Sequence, residues 1–448
     1  MAAMRLSRVA PVLALAWSAL PAAAASAAPA AAPAVKPGLT VPFLQGKPFA
    51  ELLKKARAEN KPLMVDMYAV WCGPCKLMDR TTFSDPAVGD WAKRNVIAVK
   101  IDAEKGEGRK LAQRYMVSSF PTVLFIDPSG QEIDRLVAAY PPQPFLSEAA
   151  AVVAGSSPLQ AGMKALEKNW TPEVAAQAAN VLAQRHDTAR LRPLVVRYVT
   201  EDADSGAPDT ALQLLTLLAA LEDFEGKLNP ETADLVATYL TRVANDPRRG
   251  ALAIFLGREQ VRRGETAAAK TLATTTLAAL GDASPYAPEL WSVVGAAEKK
   301  GGKRDAAIAA FRRAAALAEA AGVPPSTRGE KQMALAEALA DAGKVDEAKA
   351  ALKAALERWP NDPEAWTRAA RVELALKEPA KAVERARRAV ELSQGEDAGA
   401  QAALGAALAA TGDATGAAAA WKRAAELEPD NAAYRKGAAA AKPAAKPS

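Results

Sequence analysis

Two residues in 448 carry thiols, Cys72 and Cys75, and they stand two residues apart in Trp71-Cys72-Gly73-Pro74-Cys75. A pair at this spacing can close a disulfide within one turn of backbone and open it again, which is the chemistry of dithiol–disulfide exchange. Only the thiolate is nucleophilic, and an ordinary cysteine is mostly protonated at neutral pH. Cys72 is expected at an exposed helix start, where free backbone N–H groups and the macrodipole favour negative charge. It is therefore the expected attacking thiol. Cys75, one turn inward, is the expected resolving thiol, which attacks a mixed disulfide on Cys72 and releases the partner. Pro74 suits a first helical turn, where its missing N–H leaves nothing unsatisfied. A zinc site needs about four ligands. The chain adds one histidine, His186, expected on a surface helix, and no companion cluster, so no metal is expected. A purely structural disulfide is the other reading, but so small a closed loop restrains the unfolded chain little. Exchange between sulfurs requires no cofactor.

The elements that must hold this pair are legible around it. Before it, Pro62 to Ala69 is a near-continuous apolar run of the kind found in a buried central strand. After it, Lys76 to Arg80 continues a helix opening near Cys72. Upstream, Phe49 to Ala56 has helical spacing. Downstream come a helix from Asp85 to Arg94, a strand from Val96 to Asp102, a helix from Gly108 to Tyr115, and a strand from Thr122 to Ile126. A turn at Asp127-Pro128-Ser129-Gly130 leads to a hairpin partner from Gln131 to Ala138, and a helix from Pro144 to Ala154 closes the set.

This order and the motif Trp-Cys-Gly-Pro-Cys resemble the thioredoxin superfamily over residues 41–155. Within it, Lys61-Pro62-Leu63-Met64 and Thr82-Phe83-Ser84-Asp85-Pro86 look most like the periplasmic C-terminal domain of transmembrane thiol:disulfide interchange proteins. The resemblance implies an α/β fold, a central mixed sheet flanked by helices. It implies that Cys72 and Cys75 form the redox disulfide, and that Trp71, Gly73 and Pro74 lie on the substrate-binding surface. Asp66 matches the family's buried acid; in an apolar strand its pKa would be raised, and it could take the Cys75 proton. Lys100 falls near the lysine that faces this acid. Phe120-Pro121 matches the cis-proline loop, where the backbone of Phe120 could pair with an extended substrate. One departure stands out: Arg80 occupies the place where thioredoxins usually carry a helix-kinking proline.

From Ser157 onward alanine dominates and the pattern is helical. A period near 34 emerges from residue 250. Gly257, Gly295, Ala336, Ala370 and Gly405 share a small-residue position; sixteen residues on stand Ala273, Phe311, Leu352, Ala386 and Trp421. This is the tetratricopeptide pattern, so an all-α solenoid is expected to follow the α/β domain. Trp291, Trp366 and Trp421 are expected in the hairpin core. A solenoid's concave face suits a protein or peptide partner.

Arg5 and Arg8, the apolar run Val9 to Leu20 and the small residues after it read as a cleaved secretory signal. The expected organisation is signal peptide 1–28, disordered linker 29–40, thioredoxin-like domain 41–155, a helical connecting region of degenerate hairpins 156–249, repeats 250–434 and disordered tail 435–448. The change in periodicity after Gly155 also leads us to expect a first domain that folds by itself. Losing Arg5 and Arg8 takes the formal charge from +6 to +4, too mild to suggest a nucleic-acid partner. The expected activity is that of a periplasmic protein-disulfide reductase or isomerase. Its partners would be disulfide-bearing proteins and an external thiol reductant, a membrane electron conduit among the candidates. The alternative is a redox-regulated adaptor in the cell envelope with little turnover.

Overall fold

The computed structural model describes residues 39–70, 72–201, 208–319, 325–428 and 431–440. The expected signal segment, residues 29–38 of the expected linker, Trp71 and residues 441–448 of the expected tail lie outside them. The described residues fall into two compact units, 39–235 and 236–440. Among them, no helix is long and apolar enough to cross a membrane.

The first unit is built on four strands, β1 (Leu63–Tyr68), β2 (Ile97–Asp102), β3 (Thr122–Ile126) and β4 (Glu132–Val137), in the order β2-β1-β3-β4. β1 runs parallel to β2 and antiparallel to β3, and β4 pairs antiparallel with β3. The period of two sorts β1 into two faces. Leu63, Val65 and Met67 join a core with α1 (Phe49–Glu59) and α4 (Gly106–Arg114) through Phe49, Leu52 and Leu111. Met64 joins the opposite core, which α2 (Gly73–Arg80), α3 (Pro86–Asn95) and α5 (Pro142–Val153) cover with Met78, Val88, Phe145 and Val152. Asp66 is on this second face. The α3 start is fixed by Asp85, whose carboxylate accepts from Ala87 N and Val88 N.

Two boundaries differ from the sequence reading. The expected linker to residue 40 ends sooner, because Thr40 Oγ1 donates to Phe83 O and Asp85 O and ties the chain onto the domain. At the other side the helical connecting region is not separate from the first domain after Gly155. Ser157 is fully buried, caps α6 (Pro158–Lys168) in a reciprocal pair with Gln160, and donates to Asp134 Oδ2 on β4 at 2.7 Å. Helices α7 (Pro172–Gln184), α8 (Thr188–Glu201) and α9 (Pro208–Glu225) continue the same unit, which ends within α10 (Pro230–Arg242). Buried charges fasten them: Arg185 pairs with Asp134 at 3.4 Å and Glu148 at 2.7 Å, and Arg192 with Glu222 at 2.7 Å. Apolar periodicity could not reveal this, since the contacts are polar and long-range.

The second unit comprises helices α11 (Arg249–Arg263), α12 (Thr266–Leu280), α13 (Ala287–Lys300), α14 (Arg304–Ala318), α15 (Pro325–Asp341), α16 (Val345–Arg358), α17 (Pro363–Ala375), α18 (Pro379–Leu392), α19 (Ala398–Thr411), α20 (Ala414–Leu427) and α21 (Ala432–Ala440). They pair as successive antiparallel hairpins, and the first helix of each packs on the first helix of the next. The small-to-large register is realised: a Cβ on Gly295 would meet Phe311 at 2.8 Å, and one on Gly405 would meet Trp421 at 2.7 Å. The three expected core tryptophans are only half-buried. Their indoles have polar demands: Trp291 donates to Asp282 and Trp366 to Pro360 O. The expected disordered tail is helical through Ala440, because Gly437 and Tyr434 of α21 rest on Trp421 and cover the last hairpin.

Candidate functional site

β1 ends at Tyr68, and the chain turns through Ala69 to Cys72, whose N–H donates to Ala69 O. Cys72 is the N-cap of α2, and its sulfur accepts the Cys75 N–H at 3.1 Å. The two sulfurs are bonded, with the Cα atoms 5.3 Å apart. Once reduced, the Cys72 sulfur sits where an orphan N–H already points at it, which favours the thiolate. Cys72 stands at the helix start and Cys75 one turn inward, but Cys72 lacks the expected exposure. Cys72 is 2% exposed and Cys75 3%. Tyr68, Ala69 and Phe120 pack around the pair and cover it. The exposed lip is made by Gly73, Pro74 and Leu77. A Cβ on Gly73 would meet nothing, so packing does not demand glycine there. The Phe120–Pro121 bond is cis. Trp71, the remaining expected contact residue, is outside the described residues.

Beneath the helix lies a buried charge cluster. The parallel register of β1 and β2 sets Asp66 opposite Lys100, so both side chains emerge on the face that α2 covers. Lys100 Nζ is 2.6 Å from Asp66 Oδ2 and 2.6 Å from Asp79 Oδ1, the latter reaching down from α2. Its ammonium also lies over the Tyr68 ring at 4.7 Å and the Phe43 and Phe83 rings at 5.4 and 5.5 Å. Burial pushes the Asp66 carboxyl above its usual range, and Asp79 adds to this; Lys100 offsets only part, since it is shared between two carboxylates. Burial works against the Lys100 charge as well, but Asp66 and Asp79 outweigh it and hold its pKa above the ordinary value. Asp66 Oδ1 is buried without a hydrogen-bond partner. A carboxyl disposed to stay protonated, with one oxygen unsatisfied, can hold or accept a proton.

The sequence reading brought together Asp66, Lys100, Cys72, Cys75, Phe120 and Pro121. It missed Asp79, although an acid four residues after Cys75 is one turn further along the same helix face. It also misplaced His186. That residue is in the turn between α7 and α8, at φ 52°, with its ring against Phe224 at 5.9 Å and its Nδ1 3.4 Å from Ser119 Oγ.

A strand–helix dithiol on a four-stranded mixed sheet, followed by helical hairpins, defines a thioredoxin-like domain joined to a tetratricopeptide array. Residues 49–152 match the family model of a thioredoxin-like domain, and residues 330–372 that of a tetratricopeptide repeat. Among curated proteins the chain is similar to the thiol:disulfide interchange protein DsbD of Pseudomonas fluorescens, 38% identical over 82 residues, which are 18% of this chain and 14% of that protein. The chain thus spans about a seventh of that relative's length. Among solved structures it is similar to a candidate disulphide-isomerase from Bacteroides thetaiotaomicron, 38% identical, covering 26% of this chain and 97% of that one with a TM-score of 0.25. A tetratricopeptide repeat protein from Parabacteroides merdae aligns over 61% of this chain and 99% of its own, at 14% identity and a TM-score of 0.47.

Proposed function

We propose that the chain is a thiol–disulfide oxidoreductase that reduces or isomerises protein disulfides outside the cytoplasm, with its helical array as the partner-binding part. The observation that carries the reading is the Cys72–Cys75 disulfide at the N-terminus of α2, with the Cys72 sulfur receiving a backbone N–H. In the reducing direction the Cys72 thiolate attacks one sulfur of a substrate disulfide. That S–S bond breaks, a Cys72–substrate disulfide forms, and the departing substrate thiolate takes up a proton. Cys75 gives its proton to ionised Asp66 and attacks Cys72. This releases the second substrate sulfur as a thiolate, which takes up a proton from solvent, and leaves the Cys72–Cys75 bond. The reducing direction is favoured by the resemblance of Gly73-Pro74 to the pair between the cysteines of reducing thioredoxins. The described chain holds no further cysteine, so an external thiol must restore the dithiol; a membrane electron conduit is one such source. The location rests on the basic and apolar character of residues 5–20.

A second reading, a redox-regulated adaptor, draws support from the burial of both sulfurs, which a slow switch tolerates better than a turning-over enzyme. Reduction of oxidised insulin with dithiothreitol separates the two. Turnover that disappears in Cys72→Ser supports the oxidoreductase. A protein that turns over no disulfide, but holds a client equally well without either cysteine, would sink it.

A further inference from the structure

The segment that places Phe120 against the disulfide is held from behind by residues outside the thioredoxin-like domain. Phe120 packs on the Cys72–Cys75 pair. One residue earlier, the Ser119 hydroxyl meets His186 Nδ1 at 3.4 Å, while Ser119 O accepts from Thr122 Oγ1 at 2.8 Å. The beginning of the same segment is held by Arg135, a buried guanidinium on β4 that donates to Tyr115 O at 2.6 Å and Met116 O at 3.3 Å. Arg135 is oriented by a fork of two bonds to Glu132, at 2.6 and 2.7 Å, and Glu132 reaches on to Arg190 of α8 at 3.4 Å. Both ends of the segment are thereby tied to the α7–α8 turn and its flank.

His186 is an unusual residue for that turn. Its φ of 52° is one that glycine adopts without strain. The imidazole is instead retained, edge-on to Phe224 of α9 and next to Ser119. Burial and the neighbouring Arg135 hold its pKa below the ordinary value. The ring is therefore neutral at neutral pH, with one nitrogen to donate and one to accept. Of the charged groups on the elements around it, Asp187 pairs with Arg190, Glu132 with Arg135, Arg185 with Asp134 and Glu148, Glu222 with Arg192, and Glu225 accepts from Thr188.

We propose that His186 is a positioning residue for substrate docking: through Ser119 it sets the loop that carries Phe120 and Pro121, so that substrate affinity at the dithiol depends on the helical extension. The inference rests on the disulfide-exchange reading above. Docking along Phe120 concerns substrates with a polypeptide backbone, while a small disulfide needs only the sulfurs. Loosening the loop therefore raises KM for the former and spares the chemistry of both.

The test is steady-state kinetics of the full chain with oxidised insulin and with a small aromatic disulfide. His186→Phe keeps a ring against Phe224 and removes the nitrogens. It is expected to raise KM for insulin about three- to ten-fold, the loss of one neutral hydrogen bond, with kcat and the small-disulfide rate unchanged. Ser119→Ala is expected to do the same, His186→Gln to restore most of the affinity, and the double variant to add little to either single one. Insulin KM unchanged in both His186→Phe and Ser119→Ala overturns the proposal, as does an equal loss on both substrates. Wild type that turns over neither substrate would sink the underlying reading instead, which keeps the two failures apart.

Discussion

Asp66 meets Lys100 because two parallel strands set them opposite each other; Gly295 meets Phe311 and Gly405 meets Trp421 because the same offset recurs along the array. The sheet unit determines position by register, and each of its buried polar contacts occurs once along the chain. The array determines position by repetition, and its buried contacts are mostly between small and large apolar residues such as Ala336, Leu352 and Phe311. A change in the first region should therefore alter chemistry at one site. A change in the second should alter stability and leave chemistry alone.

The sharpest break is at the dithiol itself. Cys75→Ala should abolish turnover while Cys72 still attacks, so covalent substrate adducts accumulate and appear on non-reducing gels. Unfolding of the array should not change. Adducts at wild-type level would show that Cys75 is not the resolving thiol.

The next effect concerns where the first region ends. A fragment of residues 39–155 strips β4 of Ser157, Arg185 and Arg190, which bond Asp134 and Glu132. Hydrogen bonds to charged groups contribute about 1.5–3 kcal/mol each, and β4 becomes a bare edge. The fragment should melt about 10 °C or more below one of residues 39–243. Equal melting temperatures would restore the boundary read from periodicity.

A smaller effect is expected in the array. Alanine at Gly405 puts a Cβ 2.7 Å from the Trp421 ring, which is also held by Gly437 and Tyr434. Overpacking costs about 1–3 kcal/mol, and alanine's better helix propensity returns about 1 kcal/mol. A net loss of about 1 kcal/mol in denaturant unfolding should leave insulin reduction intact. A stabilised variant would mean that the Trp421 ring moves freely.

These contrasts explain what could be read in advance. β3 is Thr122–Ile126, the bounds expected of it, and the array's register followed from its repeated small residues. The Cys-x-x-Cys motif brought Asp66 and Phe120 with it by family resemblance. Asp79 and His186 were not placed near the dithiol for a different reason. Neither lies on an apolar period, and each acquires its partner from an element distant in sequence, Asp79 from β2 and His186 from the loop before β3. The burial of Cys72 was misjudged because a helix N-terminus is normally solvated, and here Tyr68 and Phe120 close over it.

The last test concerns Asp66 as a proton carrier. Its folded pKa is raised, chiefly by burial. Relative to the unfolded chain, the native state then binds the Asp66 proton more tightly. The stability this contributes is complete below about pH 4, the ordinary carboxylate value, and is lost as pH rises through the raised folded value. Asp66→Asn has no such titration and leaves Lys100 its bond to Asp79. Its stability relative to wild type should therefore increase with pH across that window and then level off. In single turnover, decay of the Cys72 mixed disulfide should slow by about ten-fold or more in Asp66→Asn, within the usual contribution of a positioned acid–base group. Formation of that disulfide, which depends on Cys72 and its backbone N–H, should change less. Stopped-flow measurement of both steps from pH 5 to 9 decides the matter. Decay at the same rate in both proteins at every pH would leave Asp66 as the buried partner of Lys100 and nothing more.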